Sequence, residues 1–207
     1  MKLHKLENLY KNQNFADLEK RCLMLLKRGK ASPDTFNYLA LAYKTLGKIE
    51  LSIRTFKKGI NKHPKEEFLL SNLANIYRDN GSLIDSEKCL LKAVELSPKN
   101  AMLYESLGFV LVQRGELKKA RKYLEKAMTM DPAKISLRYN VANVYRKLEK
   151  LDKAIEYFEG VDIGLSQSHL ADCLYLSGEY KQLIQKLNKL NAKNVTDPLI
   201  GALTEHV

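Results

Sequence analysis

No stretch of the 207-residue sequence approaches the run of about 18 apolar residues that a membrane-spanning helix needs. The first twelve residues, MKLHKLENLYKN, also lack the apolar core of a secretory signal. A soluble, cytoplasmic protein is the expectation. Three cysteines, Cys22, Cys89 and Cys173, are scattered without a CxxC pair, so a disulfide framework or a thiolate metal site finds no support, and reduced, buried thiols are expected. There is no GxxxxGK, GxSxG or HExxH, which removes the common phosphate-binding, hydrolase and metalloprotease signatures. Tryptophan is absent. Prolines number five and glycines ten, with no Pro/Ser-rich linker to divide the chain. No catalytic residue, cofactor site or metal site is therefore assigned, although His169, Asp172 and Cys173 share a helical face at a spacing a metal could use.

What the sequence does contain is a period. Pro64, Pro98 and Pro132 stand 34 residues apart, and Gly47, Gly81 and Gly115 keep the same interval. So do Leu39, Leu73 and Leu107, each followed by a small residue: Ala40, Ala74 and Gly108. Within one period, Phe36, Leu39, Ala40 and Tyr43 fall at helical spacing and predict a first helix, helix A. Gly47 suits its end, because a helix terminus commonly turns through left-handed backbone. A second helix, helix B, follows with Ile53, Phe56, Gly59 and Ile60 on its buried side, until Pro64 stops it. Small Ala40, Ser52 and Gly59 mark the closest helix crossing. One such pair cannot cover its own apolar stripe, so neighbouring pairs must stack.

This pattern resembles the tetratricopeptide repeat, W-x2-L-G-x2-Y followed by A-x3-F and a closing proline. The first regular copy reads Phe36, Leu39, Ala40, Tyr43, Ser52, Phe56, Pro64. The next reads Leu70, Leu73, Ala74, Tyr77, Ser86, Leu90, Ala93, Pro98, and the third Tyr104, Leu107, Gly108, Leu111, Ala120, Leu124, Ala127, Pro132. The resemblance implies an all-α, right-handed superhelical solenoid of about five helix pairs, forming one domain over residues 1–207. Its expected divisions are a degenerate capping repeat at 1–32, regular repeats at 33–66, 67–100 and 101–134, a shortened repeat at 135–163, a fifth at 164–192 and a capping segment at 193–207. In the cap, Leu6, Leu9, Phe15, Leu18 and Cys22 carry the apolar pattern and Asn14 is a helix N-cap. After Pro132 the interval drops to 29, since Leu170, Ala171, Leu174 and Gly178 answer Val141, Ala142, Tyr145 and Glu149. A change of superhelical curvature is expected near residues 160–165.

Function is sought among residues the core does not claim. The family resemblance implies that one side of each helix A lines a concave groove. The groove columns are Tyr38, Asn72, Ser106 and Asn140, then Leu41, Asn75, Phe109 and Asn143, then Lys44, Arg78, Val112 and Arg146, joined by His169, Asp172 and Tyr175. Asparagine offers donor and acceptor together and can pair with any extended peptide backbone, while arginine adds a fork suited to carboxylates. The set Asn72, Asn75, Arg78 and Asn140, Asn143, Arg146 resembles the asparagine ladder of tetratricopeptide arrays in protein-glycosylating transferases. The chaperone-type carboxylate clamp is matched at Asn72 alone. The expected function is a non-catalytic scaffold that binds a protein or peptide in this groove, with Phe109 as an apolar anchor. The terminal stretch after Asp197 and Pro198 is similar to the passage into a catalytic domain in some larger enzymes, which gives the alternative of a substrate-recruiting module in an oxygenase, glycosyltransferase or sulfotransferase. The net charge of +11 raises RNA binding as a third possibility. Lysines concentrate in helix B, for example Lys57, Lys88, Lys92, Lys118 and Lys122, interspersed with acids, so a solvated outer face is expected and nucleic acid is not the expected partner. Self-association through a terminal helix is a further option.

Overall fold

The computed structural model describes residues 3–162 and 165–191. Twelve α-helices and no strand occur among the described residues: α1 (Leu3–Lys11), α2 (Phe15–Lys27), α3 (Pro33–Thr45), α4 (Ile49–Lys62), α5 (Glu67–Asp79), α6 (Leu83–Leu96), α7 (Ala101–Gln113), α8 (Leu117–Met130), α9 (Ile135–Lys147), α10 (Leu151–Phe158), α11 (Ser166–Leu176) and α12 (Tyr180–Asn191). The arrangement is an all-α helical-repeat solenoid in which odd-numbered helices are the A members and even-numbered helices the B members. Two compact units divide the chain, Met1–Leu103 and Tyr104–Val207, and the division falls within α7. The predicted capping segment at 193–207 lies outside the described residues, as do the side chains of Leu187 and Leu190.

In the first unit each helix A packs on its own helix B and also on the preceding pair: α3 meets α2 and α4, and α1, α3 and α5 touch in succession. This explains a core wider than one helical stripe. Leu69 and Ile76 of α5 are as fully buried as Leu73, and they join Ala40 and Phe56 of the preceding pair. Tyr77, expected in the core, is only half-buried. The sequence pattern located Leu70, Leu73 and Ala74 and missed Leu69 and Ile76, which widen the contact with the preceding pair. Leu70, Ala93 and Leu103 form the next layer. The cap uses Leu6, Leu18 and Cys22 against Leu39, Ala42 and Tyr43 of α3, and Asn14 Oδ1 accepts from the Asp17 backbone N–H at 3.3 Å.

Close helix approach is secured by small residues. A Cβ on Gly59 would stand 2.7 Å from Phe36 Cβ, and one on Gly108 would stand 2.5 Å from Leu124 Cγ. Where the crossing residue is serine it also bonds: Ser52 Oγ donates to the Ala40 carbonyl at 2.7 Å and, 34 residues on, Ser86 Oγ to the Ala74 carbonyl at 2.8 Å. Each hydroxyl sits fully buried and satisfied, so its polarity costs little there.

The turn from helix A to helix B has one geometry throughout. The residue after the cap takes positive φ, at 72° for Gly47, 77° for Gly81 and 76° for Gly115. The following N–H reaches back to the carbonyl five residues earlier, as Lys48 to Tyr43 at 2.8 Å and Ser82 to Tyr77 at 2.8 Å. This is the Schellman closure, which satisfies carbonyls the helix leaves over. Gln13 and Glu149 occupy the same position at 55° and 57°, 34 residues from Gly47 and from Gly115. They carry the conformation without glycine's freedom from Cβ clash.

In the second unit α9 packs on α8 and α10, and α10 on α11. Helix α10 has 8 residues, against 14 in α8. It ends at Phe158, and Gly160, two residues on, has φ of 76°. Val161 is then completely buried, and its carbonyl accepts from both Ser166 Oγ and Gln167 Nε2 at 2.9 Å. This connection spans the stretch where a change of curvature is expected, and its residues 163–164 lie outside the described set. All three cysteines are free thiols; burial pushes Cys22 up to about 12 and Cys173 up to about 11, so both are protonated at neutral pH.

Two stability changes follow. Glu149→Gly should raise the unfolding free energy by about 0.5–1 kcal/mol, because the left-handed penalty it removes exceeds the added unfolded-chain entropy; Glu149→Ala should give no gain. Gly59→Ala should lower it by about 1–3 kcal/mol through overpacking against Phe36. Urea unfolding monitored by circular dichroism checks both.

Candidate functional site

On the α3 and α5 faces of the first unit, Asn72, Asn75 and Arg78 are all half-buried, held by the helix whose other sides go into the core. Asn72 Nδ2 donates to Asn37 Oδ1 of α3 at 2.7 Å. Arg78 Nη1 donates to Asn75 Oδ1 at 3.1 Å, and its Nε and Nη2 reach Asp79 Oδ1 at 3.3 and 3.0 Å. Lys44 of α3 closes the group with an ion pair to Asp79 Oδ2 at 2.7 Å. Burial alone would raise the Asp79 carboxyl, but hydrogen bonds from Lys44 and Arg78 outweigh it and hold the group below the usual aspartate value.

The second unit repeats this chemistry on α7, α9 and α11. Asn140 Nδ2 donates to Glu105 Oε1 at 3.3 Å, and Lys134 Nζ pairs with the other oxygen of Glu105 at 2.7 Å. Arg146 donates to Asn143 Oδ1 from Nε at 3.4 Å and Nη2 at 3.2 Å, while its Nη1 meets Asp172 of α11 at 3.3 Å. His169 lies beside Tyr139, whose hydroxyl is 3.3 Å from Nδ1, with the rings stacked at 5.9 Å. Burial first, and the Arg146 charge second, lower the His169 pKa, so the imidazole is neutral at physiological pH. Phe109 on α7 is 44% exposed.

Each predicted asparagine is therefore engaged within the chain. The carboxamide oxygens of Asn75 and Asn143 each accept from the arginine one turn later, which fixes both side chains in place. Asn37, Glu105, Lys134 and Tyr139 take part without having been singled out. A signal for them existed. The contacts Asn37–Asn72, Lys44–Asp79 and Glu105–Asn140 all span 35 residues, one more than the repeat. Tyr139–His169 spans 30, again one more than the shortened interval of 29. The triad His169, Asp172 and Cys173 does not converge: His169 meets Tyr139, Asp172 meets Arg146, and Cys173 is fully buried. No group of three or more possible metal ligands occurs among the described residues.

Stacked helix pairs with a repeated, internally braced polar row on the A helices define a helical-repeat scaffold, a class that works by presenting surface to another protein. Tetratricopeptide-repeat family patterns match residues 66–133 and again 135–161. Pseudomonas aeruginosa pilF shares the fold with a TM-score of 0.77 at 16% identity, over 99% of this chain and 96% of that one. YrrB, a TPR protein with an unusual peptide-binding site, gives 0.74 at 15% identity, over 89% and 97%. MamA of Desulfovibrio magneticus RS-1, from residue 41 to its end, gives 0.66 at 17% identity, over 77% and 93%. At these identities the likeness is one of fold. No curated protein sequence matches this chain. The two matched stretches, together with structural neighbours of the same fold, support a tetratricopeptide-repeat protein. No described helix is long and apolar enough to cross a membrane.

The Asp79 group yields a pH test. Its folded pKa lies below its unfolded value, so its stabilisation is present above the unfolded aspartate pKa, about 3.9, and is lost as pH falls through the folded value. A carboxyl-carbon NMR titration should give a midpoint below the ordinary aspartate range, and Lys44→Met should move it upward.

Proposed function

We propose that the chain binds an extended segment of a partner protein along its helix-A faces, with Asn72, Asn75 and Arg78 as polar contacts in the first unit. Asn140, Asn143 and Arg146 do the same in the second, with Phe109 as an apolar anchor. The observation that carries this reading is the bracing of both arginines. Arg78 and Arg146 are each held by an asparagine one turn back and by an aspartate, so a flexible, half-buried cation is fixed before any ligand arrives. Fixing it in advance removes entropy that binding would otherwise cost, which is a feature of a recognition surface rather than of a solvated one. Amide N–H2 groups beside it suit peptide carbonyls, which every extended segment presents whatever its sequence. YrrB, a peptide-binding protein of the same fold, supports the mode of action. Each helix pair serves as one repeat, contributing one set of side chains to its face.

The reading is tested with peptides selected from a random display library on the purified chain. Isothermal titration of the best binder should show Asn72→Ala and Asn140→Ala, singly or together, weakening affinity by about tenfold for a bound site, about 1.4 kcal/mol. The thermal midpoint should stay near that of the parent. Unchanged affinity in the double variant rejects the asparagine contacts.

A further inference from the structure

A second recess lies away from the helix-A faces, where α4, α5 and α6 of the first unit meet. It encloses about 340 Å³ and its floor is apolar, made by Ile60, Leu70 and Leu73. Three lysines stand round it: Lys57 from α4, and Lys88 and Lys92 from successive turns of α6. All three are exposed. Asp85 is the one acid among the lining residues, 3.6 Å from Lys88, so the rim carries +3 against −1, or +2. All three lysines line the same recess, with the half-buried Cys89 in its wall.

We propose that this cleft is a second docking site, taking an acidic peptide segment of a partner protein that carries one large apolar side chain between its carboxylates. The apolar side chain fills the floor and the carboxylates meet Lys57 and Lys92, Asp85 lying beside Lys88. Other anions fit less well. Inorganic phosphate would leave the apolar floor empty, and a volume near the lower end of ligand pockets cannot cover an acyl chain. Single-stranded nucleic acid stacks its bases on aromatic faces, yet Tyr77 is the one aromatic in the lining and Lys57 already lies 5.9 Å from its ring centroid.

The test uses the full chain and a fluorescein-labelled peptide, Glu-Asp-Phe-Glu-Asp, followed by fluorescence anisotropy. Lys57→Glu with Lys92→Glu should lower affinity at least about tenfold. The same charge change on α8, Lys118→Glu with Lys122→Glu, should alter it less than about twofold, and circular dichroism should show all variants folded. Replacing the peptide's Phe by Ala should also cost about tenfold if the floor is used. Equal losses in the two charge-reversal variants would overturn the site in favour of diffuse attraction to a basic surface. Indifference to the Phe would remove the floor from the proposal, and displacement by polyuridylate at lower concentration than by unlabelled peptide would reassign the cleft to RNA. Asn72→Ala should leave this peptide's binding unchanged; a loss there would mean that the probe occupies the helix-A face instead.

Discussion

The close approach of paired helices is the constraint on which the rest depends. Phe36 can lie over α4 only because Gly59 offers no Cβ, and Leu124 can lie over α7 only because Gly108 offers none. Ser52 and Ser86 turn the same contact into a hydrogen bond to a helix-A carbonyl. With the pair locked at that distance, a helix of 13 residues can bury two stripes, one toward its partner and one toward the preceding pair. The strip left over is narrow, and it is where the asparagines and arginines sit.

That leftover strip explains why polar side chains of ordinary type become an organised surface. A lysine on an exposed helix face samples many rotamers, whereas Lys44 is tied to Asp79 of the next helix A, and Asp79 to Arg78 beside it. Exposed ion pairs of this kind contribute little to stability, and their worth lies in fixing geometry. The lysines of α4 and α6 have a different setting, gathered about an apolar recess with a single acid to offset them. Two chemistries therefore coexist on the first unit, one built from amides and braced guanidinium, the other from ammonium groups over hydrocarbon.

The repeat, its helices and the left-handed turn were legible because each depends on residue types that recur at a fixed interval: Gly47, Gly81 and Gly115, or Ala40, Ala74 and Gly108. Less legible was anything set by the neighbouring pair. Leu69 and Ile76 are core residues whose burial comes from α3 and α4, so the periodicity of α5 alone gives no reason to prefer them over the Tyr77 stripe. Asn72, Asn75 and Arg78 could be placed on one face from sequence, but their bonds to Asn37 and Asp79 depend on the offset between helices. At Gln13 and Glu149 the turn conformation persists without its usual residue, because the surrounding backbone bonds impose it.

The contacts that span the repeat plus one residue bear on how such a chain can change in length. Each added or lost residue inside a helix A would rotate the side chains beyond it by about 100°, carrying an outward amide into the core and a leucine into water. Repeat length is then held more tightly than residue identity, as a phase that successive units must share. A change in length survives where the chain is not helical and the phase can be reset. The five residues missing from the interval before α11 fit that rule, for α10 is the truncated helix and the connection after Gly160 is anchored afresh by Val161. Duplication or loss of a whole period leaves the phase intact, so arrays of this kind should lengthen and shorten by entire helix pairs more readily than by single residues.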